Sequence, residues 1–562
     1  MTAVATCAGA PIHEVKWHGV NWRKVIRNVR RLQVRIVKAM QAGRWNKVKA
    51  LQRLLRGSFS ARVLAVKRVT ENQGKRTAGV DREVWDTADK KAQGIEKLNE
   101  HGYRAQPLRR VYIPKRNGKL RPLGIPTMFD RAKQAQHLLA LEPVVETTGD
   151  PDSYGFRRER SAADAIEQCF RVLYHKEAAV WILEGDIQAC FDKIDHTWLL
   201  AHVPTDRRML QQWLQAGYME QQVFHQTETG TPQGGIISPA LANLALDGLE
   251  ALLTKRYPRH KGLKVHLVRC ADDFIITCGD RLVLEQEIRP LLERFLAERG
   301  LRLSPEKTVI THIDDGFGFL GMTIRKFKGK LLIKPSAKSQ QALLDKVRNL
   351  VKQDGKNLSA AGLIQRLNPI LKGWCNYHRH VVAARTFKRI DSQLYNILWG
   401  WATSRHLNKS GRWIYRQYFA DGRGRRQAFH AHTVDGDGQR TIVELVRPTR
   451  ISIRRHIKIY GVANPFDPIW EPYFEQRRFR KTVDELPDRF KLRGLWRLQR
   501  GICPVCGELI NQTSGWNIHH LVWRVYGGGD ELENLVLLHP ECHTQVHHPD
   551  YSGPSLRPSQ GV

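Results

Sequence analysis

Apolar positions along the chain change their period repeatedly, and each change marks an element. From Trp22 to Arg56, the residues Val25, Val29, Leu32, Ile36 and Val37 recur at helical spacing and predict an amphipathic helix pair with a basic outer face. Within Val111 to Pro126, two β-rich arms flank Asn117-Gly118 and predict a two-residue hairpin. Helices are expected over Asp130 to Val145, on Ala132, Ala135, Leu138, Leu139 and Leu141, and over Ala162 to Tyr174. A buried strand runs from Trp181 to Ile187. Later, Val265 to Cys270 and Phe274 to Cys278 read as two short strands joined by a turn. Between them a turn-rich loop, Thr231 to Pro239, precedes a helix from Ala240 to Thr254. A further helix, Leu282 to Arg299, leads to Phe317–Ile324, which alternates like a strand. From about residue 336 the pattern turns helical, with Leu343, Leu344, Val347 and Leu350, then Phe387, Leu394, Leu398 and Trp401, aromatics assigned mostly to a core. Residues 420–500 are rich in Gly, Arg and His, with one strand pair around Gln439–Val446.

Chemistry enters where these strands carry acids. Asp272 and Asp273 form the turn between the paired strands, with no basic residue to separate them. Taken alone the dipeptide fits a solvated turn. A third carboxylate, Asp186, ends the Trp181 strand, and a strand-borne Asp converging on an Asp-Asp hairpin is how polymerases hold two metal ions for in-line phosphoryl transfer. Mg²⁺ suits such a site, because it takes one or two carboxylates and leaves positions for phosphate oxygens and water. At the other end of the chain, Cys503-Pro-Val-Cys506 and His539-Pro-Glu-Cys542 have two-residue gaps on both sides, a spacing that suits tetrahedral zinc. Between and beyond them lie His519-His520, Gly527-Gly-Gly, Asn534, His543 and His547. A purely structural zinc ribbon would leave these histidines and Asn534 without a task.

Bulk composition sets the partners. The 562 residues are enough for three or four domains, and 41% hydrophobic content supports real cores. With 91 Lys+Arg against 55 Asp+Glu the net charge is +36, which calls for a polyanion, nucleic acid before anionic membrane, since the basic residues are spread along the chain. Residues 1–70 alone hold sixteen Lys/Arg and one acid, Glu14. No run approaches the roughly eighteen apolar residues of a membrane span, and the start of the chain lacks the basic onset of a signal peptide. Nine scattered cysteines with one Cys-x-x-Cys suit a metal site in a reducing cytoplasm.

From roughly residue 20 to residue 548, the order of these blocks resembles the reverse transcriptases of group II introns, multifunctional maturases with a carboxy-terminal nuclease. The resemblance implies a multidomain α/β and α chain shaped as a right hand. Its fingers and palm, with an antiparallel palm sheet, would be followed by a helical thumb and a ββα-metal HNH zinc module. Expected boundaries are a basic helical extension over 1–70, fingers and palm over 71–335, thumb or maturase domain over 336–425, a basic DNA-binding region or linker over 426–500, the nuclease over 501–550 and a tail over 551–562. Asp186, Asp272 and Asp273 would hold two Mg²⁺ ions. Lys115, Arg121 and Lys307 would meet the triphosphate of a deoxynucleotide, Gln233 its sugar and base, and Phe191 would lie under the sugar and exclude a 2′-hydroxyl. Cys503, Cys506, His539 and Cys542 would bind structural zinc. His520 would be the nuclease's general base, His519 and His543 would hold a catalytic divalent ion with His547 assisting, and Asn534 would pin the loop.

The implied protein sits in a bacterial cytoplasm away from membranes and copies an RNA template from a DNA primer. It stabilises intron RNA for splicing and nicks a double-stranded DNA target to supply that primer. One departure stands in the key stretch, since the family usually has Tyr where Cys270 precedes Ala-Asp-Asp, which bears on packing around the primer end. Cys270 favours a rival, an RNA-binding splicing factor whose polymerase has decayed; the intact carboxylates, Gln233 and Lys307 oppose it. Against a second rival, a reverse transcriptase outside introns such as a retron or diversity-generating type, stands the thumb-plus-nuclease tail.

Overall fold

The structure, a computed structural model, describes residues 16–99, 102–114, 118, 120–258, 260, 262–420, 428–434, 440–485, 490–522, 529, 531–548, 551, 553, 554 and 556. Its centre is a four-stranded sheet in the order His266–Cys270, Asp273–Cys278, Trp181–Asp186, Val309–His312, antiparallel throughout. Both faces are buried. Leu183, Leu267, Phe274 and Ile276 enter one core together with Leu241, Leu292 and Leu296 of the covering helices. Ile182, Val268 and Ile275 enter a second core with Ile166, Cys169, Phe317 and Ile324. Burial on both faces explains why these strands read as near-continuous apolar runs and not as an alternation.

Upstream, the basic extension is three helices, Trp22–Gln41, Trp45–Gly57 and Phe59–Glu71, packed on the long helix Met128–Thr148. The first two are the pair expected over Trp22 to Arg56, parted at Gly43, whose φ of 66° no continuing helix allows. The hairpin Leu108–Pro114 with Leu120–Ile125 pairs Pro114 opposite Leu120, a register centred on residue 117. That register does not fit the expected two-residue loop at Asn117-Gly118, of which Asn117 lies outside the described residues. Gly118, with φ 78°, supplies the left-handed residue that longer hairpin loops use.

Three further expectations change. The helix from Ala240 to Thr254 is two helices, Ser238–Leu246 and Leu249–Arg256, because Gly248 takes φ 95° between them. Phe317–Ile324 is no single strand: Phe317–Phe319 and Met322–Phe327 pair antiparallel across a turn at Leu320 (φ 47°) and Gly321 (φ 76°). The strand pair around Gln439–Val446 is the hairpin His430–Val434 with Arg440–Glu444. Beyond the palm, helices Ala337–Gln353, Ala360–His378, Ala384–Arg405 and Gly411–Tyr418 share a core with Phe387 set beside it, and Leu394, Leu398 and Trp401 lie inside, as the apolar spacing predicts.

The carboxy-terminal module is the strand pair Asn517–His520 with Leu535–Leu538, followed by helix Pro540–Val546. It does not stand apart. Leu535, Leu537, Cys506 and Cys542 share one core with Trp17, Trp22, Val66 and Met128 of the extension and fingers. The buried Gln545 carboxamide donates to the His18 carbonyl (2.7 Å) and the Val20 carbonyl (2.8 Å), and Lys91 pairs with Glu541 at 3.3 Å.

Candidate active sites in the palm and the carboxy-terminal module

In the palm, Asp186 is the last residue of its strand and pairs in register with Asp273, the first residue of the neighbouring strand. Cys270 faces Asp273 on the other side, so Ala271 and Asp272 alone make the turn. Ala271 holds φ 61°, a left-handed conformation that a residue with a Cβ adopts at a cost of roughly 1–2 kcal/mol. Gly185 is required by the packing: a Cβ there would lie 2.1 Å from the Phe274 ring. The three aspartates thus reach one end of one sheet by three separate local rules.

Burial and the neighbouring acids raise the carboxyls of Asp272 and Asp273. Burial first, then Asp272 and Asp186, push the Asp273 carboxyl up to about 6. Asp272 is raised by burial and by Asp186, while Arg121 and Lys307 oppose the rise. Lys307 donates to Asp186 Oδ2 at 2.6 Å, and that carboxylate first, then burial against it, raises the ammonium. A cation is therefore already drawn to the site. Among the described residues the tight ligand sets, with atoms within 4.8 Å of one another, are two histidine-containing clusters of the carboxy-terminal module and not the three aspartates. Cys270 carries a thiol pushed up to about 11 by burial and the two neighbouring aspartates, so it stays neutral at pH 7 and packs as a small apolar group.

The flanking residues form a chain. Arg121 Nε donates to Gln233 Oε1 at 2.8 Å, and Gln233 Nε2 donates to Asp192 Oδ2 at 2.9 Å. The Gln233 carbonyl accepts from Gly124 N at 3.0 Å, locking the Pro-Gln-Gly loop to the fingers strand. Phe191 meets Phe156 edge to face at 5.9 Å, and its carbonyl accepts from Thr231 N at 2.6 Å. Lys115 lies outside the described residues. Asp192, the residue that orients Gln233, was not found from the sequence; its place next to Phe191 was the available signal.

In the carboxy-terminal module, Cys503, Cys506, His539 and Cys542 are all buried, with donor atoms gathered within 4.8 Å. Cys506 Sγ lies 3.3 Å from His539 Nδ1, while His539 Nε2 faces the Leu509 carbonyl at 3.2 Å, a contact that fixes the ring with Nδ1 toward the sulfurs. His519, His543 and His547 form the second set. His519 is lowered to about 4 by burial and the neighbouring imidazoles. His520 follows His519 on the same strand, so its side chain leaves on the opposite face. Asn534 Nδ2 donates to the Val522 carbonyl (3.0 Å) and the Gly529 carbonyl (2.8 Å), and its Oδ1 accepts from Val522 N (2.7 Å). It clamps the chain leaving the His519–His520 strand.

Comparison with known proteins covers both sites. Residues 113–324 match the family described as reverse transcriptase (RNA-dependent DNA polymerase), residues 17–98 its amino-terminal domain, residues 340–419 the group II intron maturase-specific domain and residues 503–549 the HNH endonucleases. Protein YkfC of Escherichia coli is 38% identical over 264 residues, 40% of this chain and 68% of its own length. The group II intron-encoded protein LtrA of Lactococcus lactis is 31% identical over 412 residues, 56% of this chain and 68% of its own. The COX1/OXI3 intron 2 protein of Saccharomyces cerevisiae is 23% identical over 555 residues, 82% of this chain and 61% of its own. Maturase and nuclease domains on one reverse transcriptase set aside the retron-like alternative. The chain belongs to the group II intron-encoded proteins, reverse transcriptases that carry a maturase domain and an HNH endonuclease.

Proposed function

We propose that Asp186, Asp272 and Asp273 hold two Mg²⁺ ions and extend a DNA primer on an RNA template, and that the HNH module nicks double-stranded target DNA to provide that primer. The observation that carries the palm assignment is the register of Asp186 against Asp273 beside the turn of Asp272, with the carboxyls raised by burial and mutual repulsion. A cation joining such a set offsets the raised carboxyls and favours their ionised form. An all-carboxylate donor set suits a hard ion, and Mg²⁺ bound there neutralises charge developing on the transferring phosphate.

Around that centre the chain's residues position the reaction. The primer 3′-oxygen attacks the α-phosphorus of a deoxynucleoside triphosphate, the bond to the β-phosphate oxygen breaks, and pyrophosphate leaves. Lys307, paired with Asp186 at 2.6 Å, stands where its ammonium meets phosphate charge. Arg121 and Lys115 serve the triphosphate from the fingers. Gln233, held between Arg121 and Asp192, presents its amide to the sugar and base. Phe191 supports the sugar from below and excludes a 2′-hydroxyl.

In the module, Cys503, Cys506, His539 and Cys542 hold a structural zinc ion, which the Cys₃His donor set fits. His519, His543 and His547 hold the nuclease's divalent ion. His520 takes a proton from water, the resulting hydroxide attacks the phosphorus, the bond from phosphorus to the 3′-oxygen breaks, and that oxygen takes a proton from solvent to become the primer's 3′-hydroxyl.

Primer extension on an RNA template with Mg²⁺ and deoxynucleotides, run beside Asp272→Ala, tests the palm. Extension by the parent chain and its loss, by about 10³-fold or more, in the variant is expected. Extension by Asp272→Ala at the parental rate would remove the three aspartates from the site. In the same preparations His520→Ala is expected to extend primers normally and to fail at nicking.

A further inference from the structure

Residues 454–478 belong to the basic region between thumb and nuclease, yet they are fastened along the palm. Asp164, on helix Ala162–Leu173 and fully buried, accepts from His456 Nε2 (2.9 Å), Ile459 N (2.7 Å) and Arg477 Nη2 (2.7 Å). Ile459 and Phe474 enter the core beneath the catalytic sheet. Arg160 Nη2 reaches the Gly461 carbonyl at 2.8 Å, and Arg478 pairs with Glu159 at 3.0 Å. We infer that this segment is a working part of the polymerase, in which Lys458 is a positioning residue that holds the Asp272–Asp273 turn through Asp152 and Tyr154.

The path is short and each link is a hydrogen bond or a steric contact. Lys458 Nζ donates to Asp152 Oδ1 (3.1 Å) and to the Tyr154 hydroxyl (3.0 Å), and Tyr154 in turn donates to Asp152 (2.7 Å). The backbone of the same two residues grips the catalytic hairpin. Arg269 N donates to the Asp152 carbonyl at 3.0 Å, and Tyr154 N donates to the Arg269 carbonyl at 2.9 Å. Next in the chain, Gly155 presses on the turn itself, since a Cβ there would lie 2.2 Å from Ala271 N. The left-handed Ala271 is thus held from outside by the loop that Lys458 secures.

Charge explains why a lysine is needed. The carboxylates facing this loop are Asp150, Asp152, Asp164, Asp247 and Glu250, and the cations are Arg157, Arg160, Arg269 and Lys458. Arg269 pairs with Asp247, and Arg157 and Arg160 pair with Glu146, which leaves Lys458 to Asp152. The Lys458 and Asp152 side chains are only 9% and 16% exposed, so solvent replaces little of the lost interaction. Removing the ammonium leaves a partly buried carboxylate with, among the described residues, only the neutral donors Gln168 Nε2 (2.7 Å) and the Tyr154 hydroxyl (2.7 Å) and no cation, beside Glu250, whose Oε2 accepts from Asp152 N at 2.8 Å.

The inference rests on the assignment of Asp186, Asp272 and Asp273 to the palm chemistry, and full-length Lys458→Met tests it. Primer extension is measured per active site, titrated with tight-binding primer–template. Lys458→Met is expected to lower kcat about ten-fold, with KM for deoxynucleotide within about two-fold of the parent. Lys458→Met combined with Asp152→Asn removes both charges and is expected to restore most of kcat. Parental kcat in Lys458→Met overturns the inference. So does a loss confined to the number of active sites, or a loss that Asp152→Asn fails to reverse. Asp272→Ala run alongside separates the failures: if it too retains extension, the palm assignment is at fault and not the role of Lys458.

Discussion

At the scale of single residues, the palm is a site where carboxylates are held against their preference. Glu250 shows the effect without touching the reacting groups. Burial first, then Asp152, raise its carboxyl to about 7, against an ordinary value near 4.5. An acid whose folded value is raised costs stability when it ionises. The penalty is complete above pH 7, shrinks as pH falls through 7 and is gone below about 4.5. Glu250→Gln keeps an oxygen for the Asp152 amide and removes the charge. It is therefore expected to raise stability at pH 8 by on the order of 1–3 kcal/mol, with the gain vanishing near pH 4.5. Thermal unfolding of the two chains across that range checks it; a gain independent of pH would mean that charge is not its source. Residues of this kind were readable from sequence only in part. Asp186, Asp272 and Asp273 could be found because each sits beside an apolar strand run, so local pattern and chemistry coincide. Glu250 and Lys458 could not, because what defines them is a partner: Lys458 and Asp152 are 306 positions apart, and no periodicity links such distant positions.

Elements were predicted best where burial alone shapes them and worst where a single backbone dihedral decides. The palm strands followed from apolar runs, and the acidic turn fell within one residue of its expected place. Phe317–Ile324 misled because an antiparallel return preserves alternation, and only the positive φ of Leu320 and Gly321 reveals the fold-back. The long helix expected after residue 240 failed at Gly248 for the same kind of reason. Element geometry also sets a demand at Gly185, where the Trp181–Asp186 strand passes under the Phe274 ring. Gly185→Ala places a methyl 2.1 Å from that ring, so the ring or the strand pairing must move. A cost of about 1–3 kcal/mol is expected from such overpacking. Because Asp186 and Asp273 face each other one position further on, primer extension should fall with it, while nicking by the module persists. Parallel extension and nicking assays on Gly185→Ala check this, and equal loss of both would indicate global unfolding.

Across the whole molecule, the nuclease is built onto the base of the fingers and not tethered to the end. Cys503, Cys506 and Cys542, which are proposed to hold zinc, lie in the same core as Trp17, Trp22 and Val66. Arg30 pairs with Glu508 at 3.0 Å, His18 stacks on His548 at 4.3 Å, and Lys67 lies 4.3 Å from the centre of the Trp22 ring. A module of two short strands and one helix is too small to bury a self-sufficient core, so its order depends on metal and on the surface it shares. The dependence must run both ways, because a core shared by two parts is lost by both when either disorders. Zinc removal is therefore expected to loosen the amino-terminal helices as well as the nuclease. Hydrogen exchange with and without a zinc-selective chelator, at constant Mg²⁺, measures this. Amides of Trp22–Gln41 and Leu535–Leu538 should exchange faster on chelation, whereas those of Trp181–Asp186 and Asp273–Cys278, which lie in separate cores, should hold their rates. Unchanged exchange in Trp22–Gln41 would mean that the module rests on the fingers without stabilising them. Acceleration there would make the metal of the nuclease a structural element of the extension that carries sixteen of the chain's basic residues, and would tie the order of that basic surface to metal loading at the other end of the protein.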